Sequence, residues 1–353
     1  MSLTRRGRVT VTVTAVVVLL VGGMAALAMA GKGPAIIKQA LGQSPSPPPP
    51  PPCPLTGEPP PGGKPVPQRP VVAIKVENTT DAYPLVGLQS ADIIYEELVE
   101  GGITRFMAVY QCHDALEVGP VRSARTTDPQ LLVQFDTHPI LGYSGAQLAV
   151  TNALSHAGIL AYDETSGFAA FTRAPAPRAT PHNLFVSTPK LYARAGKAGK
   201  SQGAPKPMFT YGSQIPNPSR KVTGASIPFS TSSVADWKWN ATSGTWVRQL
   251  GGKPMMLESG GPIQATNLIV QEVVVTQSNL RDVLGNYSPE LTLTGTGRAW
   301  ILRGGRMVLG TWQRTGPLAV TQFKTKSGQV MPLAPGTTFV ELMPKGQTPT
   351  FSK

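Results

Sequence analysis

The sequence predicts an α+β chain, with a layered α/β-type N-terminal domain around a mixed sheet followed by a smaller β-rich C-terminal domain. Three observations carry this. Between residues 71 and 197, short apolar runs of strand length alternate with helical stretches. After residue 222 the runs are strands alone, separated by glycine-rich turns such as Gly304-Gly305 and Ser327-Gly328. The 37 glycines and 36 prolines in 353 residues favour loops and strands over long helices.

Residues 1–30 place Arg5, Arg6 and Arg8 ahead of an uncharged run, 9–30, long enough to span a bilayer. They read as a signal peptide or a transmembrane anchor. Ala28-Met29-Ala30 before Gly31 is an acceptable cleavage site, while the complete span favours an uncleaved anchor. In either case the arginines stay inside. The body is then extracytoplasmic, held at the cell membrane by one N-terminal span or secreted after cleavage. Residues 31–53 form a proline-rich disordered spacer, semi-rigid at about 3 Å per residue where prolines follow one another. Prolines rather than a small apolar box precede Cys53, which argues against a lipid-modified cysteine. Cys53 and Cys112 are the two cysteines and a disulfide candidate in an exported chain.

The N-terminal domain, 54–200, carries candidate strands at 71–76, 91–95, 105–110 and 139–143. Its candidate helices are 130–136, 145–156 and, capped by Thr188-Pro189, 190–197. Residues 201–221 are a proline-broken linker or loop. The C-terminal domain, 222–346, carries strands at 226–229, 235–239, 245–249, 267–276, 298–302, 308–313 and 338–343, which suits a small sandwich or half-barrel. Charge is uneven: from residue 201 onward there are 15 Lys and Arg against 6 Asp and Glu, whereas 71–200 has 10 against 12. The net +13 therefore resides in the β-rich half and the leader. Outside a cell its partners would be anionic wall or lipid components rather than nucleic acid, although scattered lysines and arginines also serve as solvated faces.

The densest local signal is Gly119-Pro120-Val121-Arg122-Ser123-Ala124-Arg125. A Gly-Pro turn leads into Thr126 or Thr127 as a helix cap, with Asp128-Pro129 in the first turn. Unpaired backbone N–H groups and two guanidinium forks would then converge on a phosphate or carboxylate. The alternative is that Arg122 and Arg125 pair with Asp128, Glu117 or Asp92 and brace the turn. A second pattern, Gly142-Tyr143-Ser144-Gly145-Ala146, resembles a nucleophile elbow, and Asp163 and His182 follow in hydrolase order. The separation of Ser144 from His182 is too short for the usual intervening strands. His113, His138, His156 and His182 show no metal-ligand spacing, and no cofactor is implied.

Several ordered motifs together resemble the YerB-like family of bacterial exported proteins, which carries a domain of unknown function in N- and C-terminal parts. They are Pro54-Leu55-Thr56-Gly57, Ser90-Ala91-Asp92-Ile93-Ile94-Tyr95-Glu96, Gly101-Gly102-Ile103-Thr104-Arg105-Phe106, the 119–125 run and Pro181-His182-Asn183-Leu184. In the second half they are Asn267-Leu268-Ile269-Val270-Gln271, Gly295-Thr296-Gly297-Arg298-Ala299, Thr311-Trp312 and Pro335-Gly336-Thr337-Thr338. The resemblance implies a two-domain protein on the outer face of the membrane, with no established catalytic activity. Carried over by motif, the ligand-binding candidates are Asn78, Glu96, Arg105, Arg122, Ser123, Arg125, Arg173, His182 and Asn183, expected in one cluster. The expectation is an extracytoplasmic envelope protein holding an anionic wall or lipid component in an Arg/His pocket. An envelope phosphotransferase or hydrolase using that pocket, and an envelope scaffold, are the alternatives.

Overall fold

The computed structural model describes residues 50–135, 138–175, 177–197 and 203–353; the leader expected at 1–30, most of the spacer and the first linker residues lie outside them. The run VVAIKV predicts a buried strand, and β1 (Val72–Glu77) is buried along its whole length. It is followed by β2 (Ile93–Leu98), β3 (Thr104–Tyr110), helix α1 (Thr127–Leu132), β4 (Ile140–Gly142), α2 (Leu148–His156) and β5 (Leu160–Tyr162). A hairpin of β6 (Phe171–Arg173) and β7 (Leu184–Val186) then leads to α3 (Thr188–Lys197).

The second half contributes strands. They are β8 (Arg220–Lys221), β9 (Gly224–Pro228), β10 (Val234–Asn240), β11 (Thr245–Leu250), β12 (Lys253–Pro254), β13 (Gln264–Ala265) and β14 (Asn267–Arg281). After them come β15 (Tyr287–Thr292), β16 (Gly295–Arg303), β17 (Arg306–Arg314), β18 (Gln322–Thr325), β19 (Thr338–Pro344) and β20 (Thr350–Ser352).

A 12-stranded mixed sheet has the order β18-β17-β16-β14-β19-β2-β3-β1-β4-β5, with β15 added to β14 and β8 to β17. Strand β19 lies parallel to both β14 and β2, so it joins strands of the two sequence halves in one sheet. Side chains alternate across this sheet. Val72, Ile74, Ile94, Phe106 and Phe339 face one cluster, shared with Ile227, Trp237 and Trp246 of a second sheet, β12-β11-β10-β9-β20. Trp237 meets Phe339 edge-on at 4.8 Å. Ala73, Ile93, Tyr95, Met107 and Val340 face the other cluster, with Leu131 and Leu132 of α1 and Val150 and Leu154 of α2.

The helical layer is thinner than the sequence suggests. The three α-helices among the described residues hold 6, 9 and 10 residues, and one face of the large sheet is covered chiefly by the second sheet. The helix expected at 130–136 starts earlier, at Thr127, and gives way to a 3-10 turn at Val133. The one expected from 145 starts at Leu148, because Gly145 takes a left-handed φ of 82°. A disulfide joins Cys53 to Cys112, fastening the first described segment to the residues just past β3.

Candidate functional site

Strands β1 and β4 pair in parallel over Val72–Ile74 and Ile140–Gly142. Beyond that, residues 120–122 run antiparallel beside β1: Glu77 N–H donates to the Pro120 carbonyl (3.0 Å) and Arg122 N–H to the Lys75 carbonyl (2.9 Å). The Val121 N–H bonds the Leu184 carbonyl at 2.7 Å. Gly119 lies so close to the same carbonyl that a Cβ would stand 2.7 Å from it, a contact that only glycine avoids. The 119–125 segment is thus fixed at the C-terminal ends of parallel strands, where open α/β sheets place ligands.

These bonds correct one expectation. The N–H groups of Val121, Arg122 and Ala124 are consumed within the fold, and Thr126 makes no side-chain cap. The Asp128 carboxylate instead accepts the Arg125 N–H at 2.7 Å. The backbone N–H groups of Val121, Arg122, Ala124 and Arg125 thus have partners within the fold, and the polar groups left at this turn are side chains.

Those side chains surround Arg105, which register places opposite Glu77 on β1 and Glu97 on β2. Arg105 is only 7% exposed, yet its guanidinium makes one hydrogen bond among the described residues, to the Ser123 carbonyl at 3.3 Å. Burial, then the neighbouring Arg125 and Arg122, lower its pKa to about 10, against the pull of Glu100 and Glu77. Glu77 accepts from His182 Nδ1 at 2.9 Å and Thr79 Oγ1 at 2.9 Å, and lies 3.6 Å from Arg122 Nε. Arg125 is held by Glu100, at 2.7 Å from Nε and 2.6 Å from Nη2. The bracing acids are therefore Glu77 and Glu100, neither of which the sequence singled out. Arg122 and His182 keep 25% and 24% of their side chains exposed.

Behind this cluster, Lys75 is fully buried between Glu97 and Asp128, with Asp128 Oδ1 at 2.8 Å from Nζ. Burial raises the Asp128 pKa from 3.8 to about 6, with Lys75 opposing. The folded protein therefore holds this proton more tightly than the unfolded chain. Asp128's contribution to stability is complete below about pH 4 and is lost as pH rises through about 6. Urea unfolding between pH 4 and 7 should show wild-type stability falling with pH, and Asp128→Asn should flatten that slope. An unchanged slope in the variant would refute the assignment.

The nine motif residues do not form one cluster. Arg105, Arg122, Ser123, Arg125 and His182 come together. Glu96 follows Tyr95 on β2 and turns to the opposite face, where it accepts from Asn78 Nδ2 (3.0 Å), Thr104 Oγ1 (2.6 Å) and Arg248 Nη2 (3.2 Å). There it lines a cleft of about 310 Å³ with Asn78, Tyr83, Thr104 and Arg248. Arg173 and Asn183 bond each other at 3.0 Å on the β6–β7 hairpin, with Glu164 as the second partner of Arg173. The serine-hydrolase order is not realised: the Asp163 carboxylate closes a turn onto Thr165 and Ser166, and His182 is bonded to Glu77. Among the described residues no group of three or more His, Cys, Asp or Glu is placed to hold a metal ion.

The chain belongs to a family of proteins of unknown function (DUF3048), whose N-terminal domain matches residues 55–201 and whose C-terminal domain matches 225–340. It is similar to YerB of Bacillus subtilis (strain 168), a protein provisionally named a lipoprotein, at 26% identity over 299 residues, 82% of this chain and 85% of YerB. The crystal structure of the Bacillus subtilis YerB protein matches with a TM-score of 0.73 at 24% identity, over 86% of this chain and 99% of that one. The mixed sheet and its covering second sheet thus have a counterpart in a solved fold.

Proposed function

We propose that this is an extracytoplasmic cell-envelope protein that binds a phosphate- or carboxylate-bearing ligand at the Arg105–Arg122–His182 cluster. The observation that carries the reading is Arg105: a largely buried side chain beside two further arginines, whose guanidinium makes one hydrogen bond among the described residues, to a carbonyl. Buried cations are normally matched by bonded acceptors, and an anion supplies them. Envelope placement is supported by the uncharged run 9–30 and by the lipoprotein name of the related YerB. Among the described residues no helix is long and apolar enough to cross a membrane.

Calorimetric titration of the full-length protein with inorganic phosphate tests this. Arg122→Ala removes a charge-assisted donor of about 1.5–3 kcal/mol and is expected to weaken binding roughly 10- to 100-fold. Equal affinity in wild type and variant would remove the site. The His182–Glu77 pair favours a second reading, since an imidazole oriented through Nδ1 by a carboxylate can exchange a proton at Nε2. Turnover of a phosphomonoester that His182→Gln abolishes, with phosphate binding retained, would make the protein a hydrolase or phosphotransferase.

A further inference from the structure

Residues 274–281 of β14 pair with β15 and extend past the part of β14 that is bonded to β16 and β19. The hairpin turn is ordered: Asp282 Oδ1 accepts the N–H groups of Leu284 (2.9 Å) and Asn286 (2.8 Å). That turn nevertheless displays two adjacent aliphatic side chains, Val283 at 102% and Leu284 at 83% exposure. Turn tips are ordinarily polar, and an adjacent exposed aliphatic pair suits an apolar surrounding. The flanks are of interfacial type, with the Arg281 guanidinium 3.5 Å over the Tyr287 ring. Leu148, 75% exposed at the start of α2, adds a third apolar group beside the hairpin, because Gln147 Nε2 donates to the Arg281 carbonyl at 2.7 Å.

This apolar tip is tied to the arginine cluster. Ser288 of β15 donates to Glu100, the acid that holds Arg125. On the other side, Ser144 N–H bonds the Arg122 carbonyl and Ala124 N–H the Gly145 carbonyl, three residues before Leu148. Guanidinium groups and bare aliphatics therefore belong to one connected region.

We propose that the arginine cluster takes the headgroup of an anionic membrane lipid, with Val283, Leu284 and Leu148 entering the bilayer interface beside it. The inference rests on the anion reading above and adds the source of the anion. A freely dissolved anion gives the aliphatic tip nothing to contact, whereas a lipid supplies charge and apolar depth together. An uncleaved N-terminal span would also keep the body near a bilayer, since the 31–53 spacer reaches at most about 80 Å from the apolar run. The positive charge of the second half matches an anionic surface.

The full-length chain carrying Leu284→Trp tests this in nanodiscs of phosphatidylcholine alone or mixed with phosphatidylglycerol, prepared with and without bromines on the acyl chains. Interfacial apolar groups lie about 5–10 Å deep, so bromination should quench the added indole roughly twofold in anionic discs and less in phosphatidylcholine. Val283→Trp provides the same readout if Leu284→Trp misfolds. Adding Arg122→Ala should reduce quenching in anionic discs to the phosphatidylcholine level. No quenching in either lipid overturns the proposal, and so does quenching that Arg122→Ala leaves unchanged. Binding of inorganic phosphate by the wild type, measured separately, would leave the anion site standing in both of those cases.

Discussion

Replacing Lys75 by Met is expected to cost about 3–5 kcal/mol, the penalty for removing one partner of a buried ionic group. That is a large share of the roughly 5–15 kcal/mol by which a domain is stable. Lys75, Glu97 and Asp128 have fully buried side chains, so Lys75→Met leaves two buried carboxylates without their cation. They can persist only by taking up protons. The loss should therefore be larger at pH 8 than at pH 5, read from urea midpoints at the two values. Adding Glu97→Gln and Asp128→Asn should recover much of it, because a neutral trio has no uncompensated charge. A single variant as stable as wild type at both pH values would show that the ion group is energetically idle.

Arg248→Met is the matching change on the opposite face. Arg248 lies 3.1 Å from Glu96 and 3.5 Å from Glu341, while Glu341 also accepts from Trp237 Nε1 at 2.6 Å. Burial, and then Glu96, push the Glu341 pKa well above the ordinary carboxylate range. The raised pKa favours the protonated form of Glu341, which would leave Arg248 chiefly to neutralise Glu96. Glu341→Gln imitates that protonated state and should change stability by less than about 1 kcal/mol, whereas Arg248→Met should cost about 3–5 kcal/mol. Equal losses for the two would mean that Glu341 is ionised in the fold.

Much of this architecture is legible in the sequence. The apolar runs at 71–76, 105–110 and 267–276 fall on strands, because short, nearly continuous apolar runs rich in valine, isoleucine and aromatics are too brief for a helix and suit a sheet buried on both faces. The arginine cluster is legible only in part. Gly119, Pro120 and Arg122 mark the turn, but its acids, Glu77 and Glu100, come from β1 and the turn after β2, and spacing does not reveal which strands are neighbours. A signal was available in Lys75, a charge inside an apolar strand run, and in the adjacent Glu96 and Glu97. Successive residues on a strand face opposite ways, so one must serve each side of the sheet. Arg248 is beyond such reading. It reaches Glu96 from a second sheet 152 positions away, and nothing local to either residue encodes the encounter.

The insertion of β19 between β14 and β2 sets the order in which this chain can mature. Ala91 and Thr337 are hydrogen-bonded across 246 positions, so the edge of β2 waits for nearly the whole polypeptide before it gains its neighbour. A ribosome or a translocation channel delivering the chain N-terminus first therefore releases an early half with an open sheet edge, a site for mispairing and proteolysis. Neither family-matched segment, 55–201 or 225–340, holds a complete sheet when synthesised by itself. Export of the proposed kind suits such a chain, because the closing strand arrives only after the rest has already crossed.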